Sequence, residues 1–161
     1  MAALAQILAR REQRQAEQLR LLRLGHPVVS LTIVSPGPDK DDETARHACA
    51  VAVDALDEAL RARGWRAPAR HAVTANTGPE HLVAVDAPPA ELKRALVALE
   101  DDTPLGRLWD LDVLTGPGPD GLPIVLGRRA IGHGPRRCLV CAEAAALSTN
   151  SADARVVAII L

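Results

Sequence analysis

A chain of 161 residues, 48% of them hydrophobic, is long enough for one domain with a core of its own, yet it has no Phe, no Tyr and two Trp, so Leu, Val, Ala and Ile must fill that core. A net charge of −1 and an isoelectric point near 6.5 leave no overall attraction to nucleic acid or to an anionic membrane. Three Cys, no secretory pattern in the first residues and no apolar run of bilayer length predict a cytoplasmic protein without membrane contact.

Residues 3–24 read as an amphipathic helix, with Leu4, Ile7, Leu8, Leu19 and Leu22 at helical spacing and Gly25-His26-Pro27 ending it. Its middle is polar all round, so Arg10, Arg11 and Arg14 read mainly as a solvated face. Residues 28–34 are short and β-branched, a buried strand stopped by Ser35-Pro36-Gly37-Pro38, with Lys40 just beyond. That composition suits a phosphate-contact loop and an ordinary turn equally. Residues 42–63 form a second helix, with Asp42 and Glu43 favoured at its N-terminus and a stripe of Ala48, Val51, Ala52, Ala55, Leu56 and Ala59 for close packing on a sheet. Cys49 lies within it as a buried, inert thiol. Two strands, 71–75 and 81–85, follow, joined by the loop 76–80. Pro88-Pro89 opens a third helix over 90–99, with Leu92, Leu96 and Leu99 towards the core.

The chain is organised around its next stretch, residues 106–114, which reads as a strand carrying Asp110 and Asp112. Strand side chains alternate between faces, so Trp109, Leu111 and Val113 point one way and the two carboxylates the other, between Leu108 and Leu114. Like charges side by side repel, and Asp is disfavoured in strands, so the pair calls for something positive; a hard divalent cation such as Mg²⁺, held by one or two carboxylates plus substrate phosphates, meets that need. The bland alternative is an acidic outer face on an exposed edge strand. A turn at 116–121 leads to residues 122–126, a strand that Pro123 confines to an edge.

The order β-α-β-β-α-β predicts an α+β fold of the split, ferredoxin-like kind: an antiparallel or mixed sheet with the helices packed on one face. Residues 1–161 make a single domain, divided into the N-terminal helix (1–25), the α+β core (26–127) and an Arg-rich tail (128–161). The tail contains Cys138 and Cys141 as C-x-x-C, half of a zinc site; the other two ligands are missing, so no structural zinc is expected there.

The run Pro104-Leu105-Gly106-Arg107-Leu108-Trp109-Asp110-Leu111-Asp112-Val113-Leu114, followed by Arg136-Arg137-Cys138-Leu139-Val140-Cys141, resembles the citrate lyase holo-acyl-carrier-protein synthase family, the apo-citrate lyase phosphoribosyl-dephospho-CoA transferases. Arg11-Glu12-Gln13-Arg14-Gln15 looks like the family's N-terminal Arg-rich box, and the strand leading into Pro36-Gly37-Pro38-Asp39-Lys40 and the turn Gly78-Pro79-Glu80 also match, so the likeness spans about residues 10 to 147. The resemblance implies a nucleotidyltransferase that moves 2′-(5″-triphosphoribosyl)-3′-dephospho-CoA onto a serine of the citrate lyase acyl carrier (gamma) subunit, forming a phosphodiester and releasing pyrophosphate. It makes Asp110 and Asp112 the Mg²⁺ ligands and catalytic carboxylates, with Arg107 beside them, and Lys40, Arg136 and Arg137 phosphate-binding candidates. A related transferase for another carrier, of the malonate decarboxylase type, and a catalytically inactive carrier-binding subunit are the alternatives. The likeness breaks at the C-terminus, where Ser148 and Ala154 stand at the family's further Cys and His.

Overall fold

The sheet is built from strands whose apolar residues alternate or run continuously, and it divides the described part of the chain into two packed layers of unequal size. A computed structural model describes residues 2–35, 40–75 and 77–136. The strands are β1 (Val28–Ile33), β2 (Arg66–Ala75), β3 (Gly78–Asp86), β4 (Trp109–Pro117) and β5 (Pro123–Leu126), and the helices α1 (Ala2–Leu22), α2 (Glu43–Ala62) and α3 (Pro89–Asp102). The order across the sheet is β2-β3-β1-β4-β5, and every pairing is antiparallel. The α+β class and the antiparallel sheet are therefore as expected. Pro123 opens the edge strand, where its missing N–H costs the ladder least.

One face carries the main core. Val29 and Leu31 of β1, Val83 and Val85 of β3 and Trp109, Leu111 and Val113 of β4 pack under Cys49, Ala52, Leu56 and Leu60 of α2 and Leu92 and Leu96 of α3. Asp42 caps α2, its side chain accepting from Ala45 N at 2.7 Å, and Pro89 stands at the start of α3. The expectation that the helices share one face holds for this pair and fails for α1. Leu21 and Leu22 of α1 pack on the opposite face, against Val28, Leu82, Ala84 and Leu114. The physical reason is the sheet's own pattern: Val28, Leu82, Ala84 and Leu114 give the second face an apolar patch that must also leave water.

Several element boundaries differ from the sequence reading. Gly106–Leu108 is a 3-10 turn, not strand, because Gly106 N donates to Thr103 O and Leu108 N to Leu105 O; the strand starts at Trp109, and Leu108 packs at the edge of the main core. The paired strands extend to Arg66–Ala75 and Gly78–Asp86, so Pro79 and Glu80 belong to β3 and not to a loop. Gly78, at φ +100°, makes the tight entry to β3, a backbone region that side chains other than glycine rarely adopt. Pro36 to Asp39 and the tail from Arg137, with Cys138, Cys141 and Ser148, lie outside the described residues. Among the described residues, no helix is long and apolar enough to cross a membrane.

Candidate active site

Antiparallel register brings one row of polar side chains across three strands. Asp110 of β4 stands opposite Thr32 of β1, and Thr32 stands opposite Glu80 of β3; one step along, Asp112 stands opposite Ser30. Alternation sends the neighbours the other way, so Trp109, Leu111 and Val113 are fully buried while the Asp110 and Asp112 side chains keep 47% and 42% of their exposure. The carboxylates are thus anchored by a buried strand yet open to a ligand from solvent. Desolvation and the neighbouring Asp112 push the Asp110 carboxyl above the usual carboxylate range, against the pull of Arg136.

The edge of β4 beneath these carboxylates has no strand partner until Val113, where pairing with β5 begins. Side chains replace the missing strand. Leu111 N donates to Glu100 Oε1 at 2.9 Å, and Lys93 Nζ donates to Leu111 O at 2.8 Å, both from α3. Unpaired buried backbone groups are costly, and these two buried side chains satisfy one residue's donor and acceptor together. Lys93 Nζ also lies 3.6 Å from Asp112 Oδ1, and Arg128 closes the set through Glu100 Oε2 at 2.6 Å. Gly106 makes this approach feasible: a Cβ there would lie 2.5 Å from both Leu99 O and Glu100 O.

Above the carboxylates lies a cleft of about 320 Å³, walled by Arg11, Arg14, Gln15 and Gln18 of α1 and by Leu122 and Val125 beside β4. Glu80, 3% exposed, draws the helix down: it accepts from Arg10 Nη2 at 2.9 Å, from Arg14 Nε at 2.9 Å and from Arg14 Nη2. A larger cavity of about 460 Å³ is lined by Arg63, Trp65, Glu91, Arg94 and Ala95. It holds neither carboxylate of the pair, and we place the site at the smaller cleft because the unusual chemistry, two adjacent strand carboxylates, is there.

Residues 2–156 match the model of the apo-citrate lyase phosphoribosyl-dephospho-CoA transferase family. The chain belongs to that family. Curated relatives of the same name include proteins from Escherichia coli strain SMS-3-5 and Shigella boydii serotype 18, each 40% identical over 146 residues, covering 90% of this chain and 77% of the relative. Another, from Escherichia coli O7:K1, is 41% identical over 147 residues with the same coverage.

Set against the expectations that the family likeness raised, the structure brings Asp110 and Asp112 together at the cleft and leaves Lys40, Arg107 and Arg136 outside its lining. Lys40 Nζ donates to Ser35 O at 2.7 Å. Arg107 is exposed on the 3-10 turn. Arg136 clasps that turn, its Nη2 donating to the carbonyls of Arg107 at 2.8 Å, Gly106 at 3.3 Å and Trp109, while Nη1 lies 3.5 Å from Asp110 Oδ1. Arg137 lies outside the described residues. The reading of the N-terminal arginines as a solvated face is corrected for Arg10 and Arg14, which pair with a buried carboxylate.

Glu80, Lys93, Glu100, Ser30 and Thr32 escaped the sequence reading. Signals for them existed. Glu80 shares a strand face with Leu82 and Ala84, the same anomaly that marks Asp110 and Asp112. Lys93 and Glu100, seven residues apart, fall beside Leu92, Leu96 and Leu99 on the helical wheel of α3.

Proposed function

We propose that this chain transfers triphosphoribosyl-dephospho-CoA to a serine of the citrate lyase acyl carrier (gamma) subunit, as a nucleotidyltransferase that releases pyrophosphate. The observation that carries the reading is the pair Asp110 and Asp112, side by side and open to a cleft, in a chain of this family. The relatives' names favour the citrate lyase carrier over a malonate decarboxylase carrier or an inactive carrier-binding role.

Serine Oγ attacks the innermost phosphorus of the donor's triphosphate. A new P–O bond forms, the bridge to the outer two phosphates breaks, and its electron pair leaves with pyrophosphate. The hydroxyl proton goes to one of the two carboxylates; Asp110 suits the role because desolvation already raises its affinity for a proton. The carboxylate pair fits Mg²⁺: their oxygens suit a hard cation, Asp112 already disfavours a second negative charge on Asp110, and both side chains are half-exposed. Among the described residues no group of three or more His, Cys, Asp and Glu is placed to hold a metal ion, so Asp110 and Asp112 are the two carboxylates that would hold Mg²⁺. Bound there, Mg²⁺ would neutralise charge developing on the phosphates. Lys93 and Arg136 hold the two carboxylates from below and from the side. Lys40, Arg107 and Arg137 stand as proposed phosphate contacts on the family likeness.

Mass spectrometry of the apo carrier subunit after incubation with the chain, Mg²⁺ and the donor tests the proposal. A mass gain equal to the prosthetic group, with pyrophosphate released, is expected. An unmodified carrier under the same conditions overturns it.

A further inference from the structure

The cleft has opposite charges on its two walls. Its floor carries Asp110 and Asp112; its roof is α1, with Arg11 and Arg14. On the roof the single negative charge of Glu80 is outnumbered by Arg10 and Arg14, so one positive charge remains, and Arg11 adds a second without an ion pair among the described residues. A free anion would be repelled by the floor, and a free cation by the roof. A metal–polyphosphate complex satisfies both walls, the cation towards the carboxylates and the phosphate oxygens towards the guanidiniums.

Arg14 is held for such a role. Its Nε and Nη2 form a two-point fork on Glu80, which leaves Nη1 without a hydrogen-bond partner among the described residues. A guanidinium fixed on one edge by a carboxylate is pre-organised and does not have to be ordered when an oxyanion arrives. Glu80 itself is 3% exposed, too enclosed to meet substrate, and it lies 66 residues from Arg14 in the chain. The C-terminal end of α1 is pinned separately by Leu21 and Leu22, so Glu80 sets the placement of the arginine-bearing half.

We propose that Arg11 and Arg14 of α1 bind the outer two phosphates of the donor's triphosphate, the part that leaves as pyrophosphate, and that Glu80 is the positioning residue that fixes Arg14 over the carboxylate pair. This rests on the transferase reading for the identity of the donor, and the ligand chemistry, a metal-bound polyphosphate, rests on the cleft.

The test uses the full chain, Mg²⁺ and inorganic pyrophosphate, with binding measured by calorimetry, and donor KM and carrier KM measured where transfer is active. Arg11→Gln and Arg14→Gln are expected to weaken pyrophosphate binding by about tenfold or more, the scale of one lost charged hydrogen bond. They should raise the donor KM and leave the carrier KM unchanged. Arg14→Lys keeps the charge without the fork and should recover part of the affinity. Glu80→Asp keeps the roof's charge but shortens the arm that holds the Arg14 fork; it is expected to weaken pyrophosphate binding although it does not touch the ligand. Arg20→Gln, at an exposed residue paired with Glu17 on the same helix, should bind like the parent. Arg11 makes no ion pair among the described residues, so its variant keeps the test decisive if Glu80→Asp unfolds. Parent-like affinity in both folded Arg→Gln variants, or a parent that does not bind pyrophosphate with Mg²⁺, overturns the inference. Weakened pyrophosphate binding in a chain that leaves the citrate lyase carrier unmodified would sustain this site and overturn the transferase reading instead.

Discussion

Lys93 ties the hidden layer of the fold to its open cleft: from α3 its Nζ donates to Leu111 O at 2.8 Å and lies 3.6 Å from Asp112 Oδ1. The ammonium is 5% exposed on its side chain, so it acts in a partly dry setting on both a backbone carbonyl and a candidate catalytic carboxylate. Lys93→Met keeps the apolar stem and removes the donor. It is expected to cost about 1–3 kcal/mol, the scale of leaving a buried acceptor unsatisfied. Urea unfolding followed by circular dichroism reads this as a lower midpoint at an unchanged slope; a parent-like midpoint would show that the edge of β4 does not depend on it.

Asp110→Asn and Asp112→Asn should each lower transfer by about a hundredfold or more, the scale seen when a charge-stabilising group is lost, while the far-ultraviolet spectrum stays that of the parent. Retained turnover in both would remove the carboxylates from the mechanism. Addition of Mg²⁺ together with inorganic pyrophosphate is expected to raise the melting temperature of the parent and not of either variant, since a ligand stabilises only the state that binds it.

The raised carboxyl of Asp110 makes a separate prediction about pH. The folded protein holds this proton more tightly than the unfolded chain, whose Asp titrates near 3.8. Stability is therefore lost as pH rises from that value through the raised folded one, and the penalty is complete above it. Asp110→Asn should melt above the parent at neutral pH, with the gain shrinking towards zero near pH 3.8. A difference that stays constant from neutral to acid pH would show that the site's desolvation does not act on this group.

Gly106 faces the carbonyls of Leu99 and Glu100, each 2.5 Å from where a Cβ would sit. Neither obstacle can swing away, since both are backbone at the end of α3. Gly106→Ala should cost about 1–3 kcal/mol as overpacking does, and should also lower transfer, because the displaced turn carries the start of β4. Differential scanning calorimetry beside the transfer assay checks both; an unchanged melting temperature would mean the turn relaxes freely.

Cys49 is 2% exposed in α2, and burial pushes its thiol up to about 11. The thiolate is the reactive form, so Cys49 should stay unmodified by iodoacetamide at pH 8 in the folded chain and react fully in urea, as peptide mass mapping would show. Rapid native alkylation at this position would contradict the packing of α2 on the sheet.

Periodicity explains what could be read without a structure. The alternation around Asp110 and Asp112 puts the carboxylates on one face and Trp109 on the other, and the structure places Trp109 in the core with both carboxylates open. The stripe of α2, the inert Cys49 and the edge position of Pro123 are local consequences of the same kind. The later start of β4 also has a local cause: Gly106-Arg107-Leu108 has nothing in its composition to show that bonds to Thr103 O and Leu105 O fold it into a turn.

What the sequence determined by itself was therefore each element's own two-sided character, because strand and helix repeats are properties of neighbours in the chain. Only the tertiary structure decided which sides meet. Glu80 and Arg14 are 66 residues apart, Arg136 and Asp110 26, and Lys93 and Leu111 18. Their meeting depends on β1 lying between β3 and β4 and on α1 taking the face opposite α2 and α3. The arginines that read as a solvated helix face became the roof of the cleft because the second face of the sheet offered them one buried carboxylate and, beside it, two that remain open.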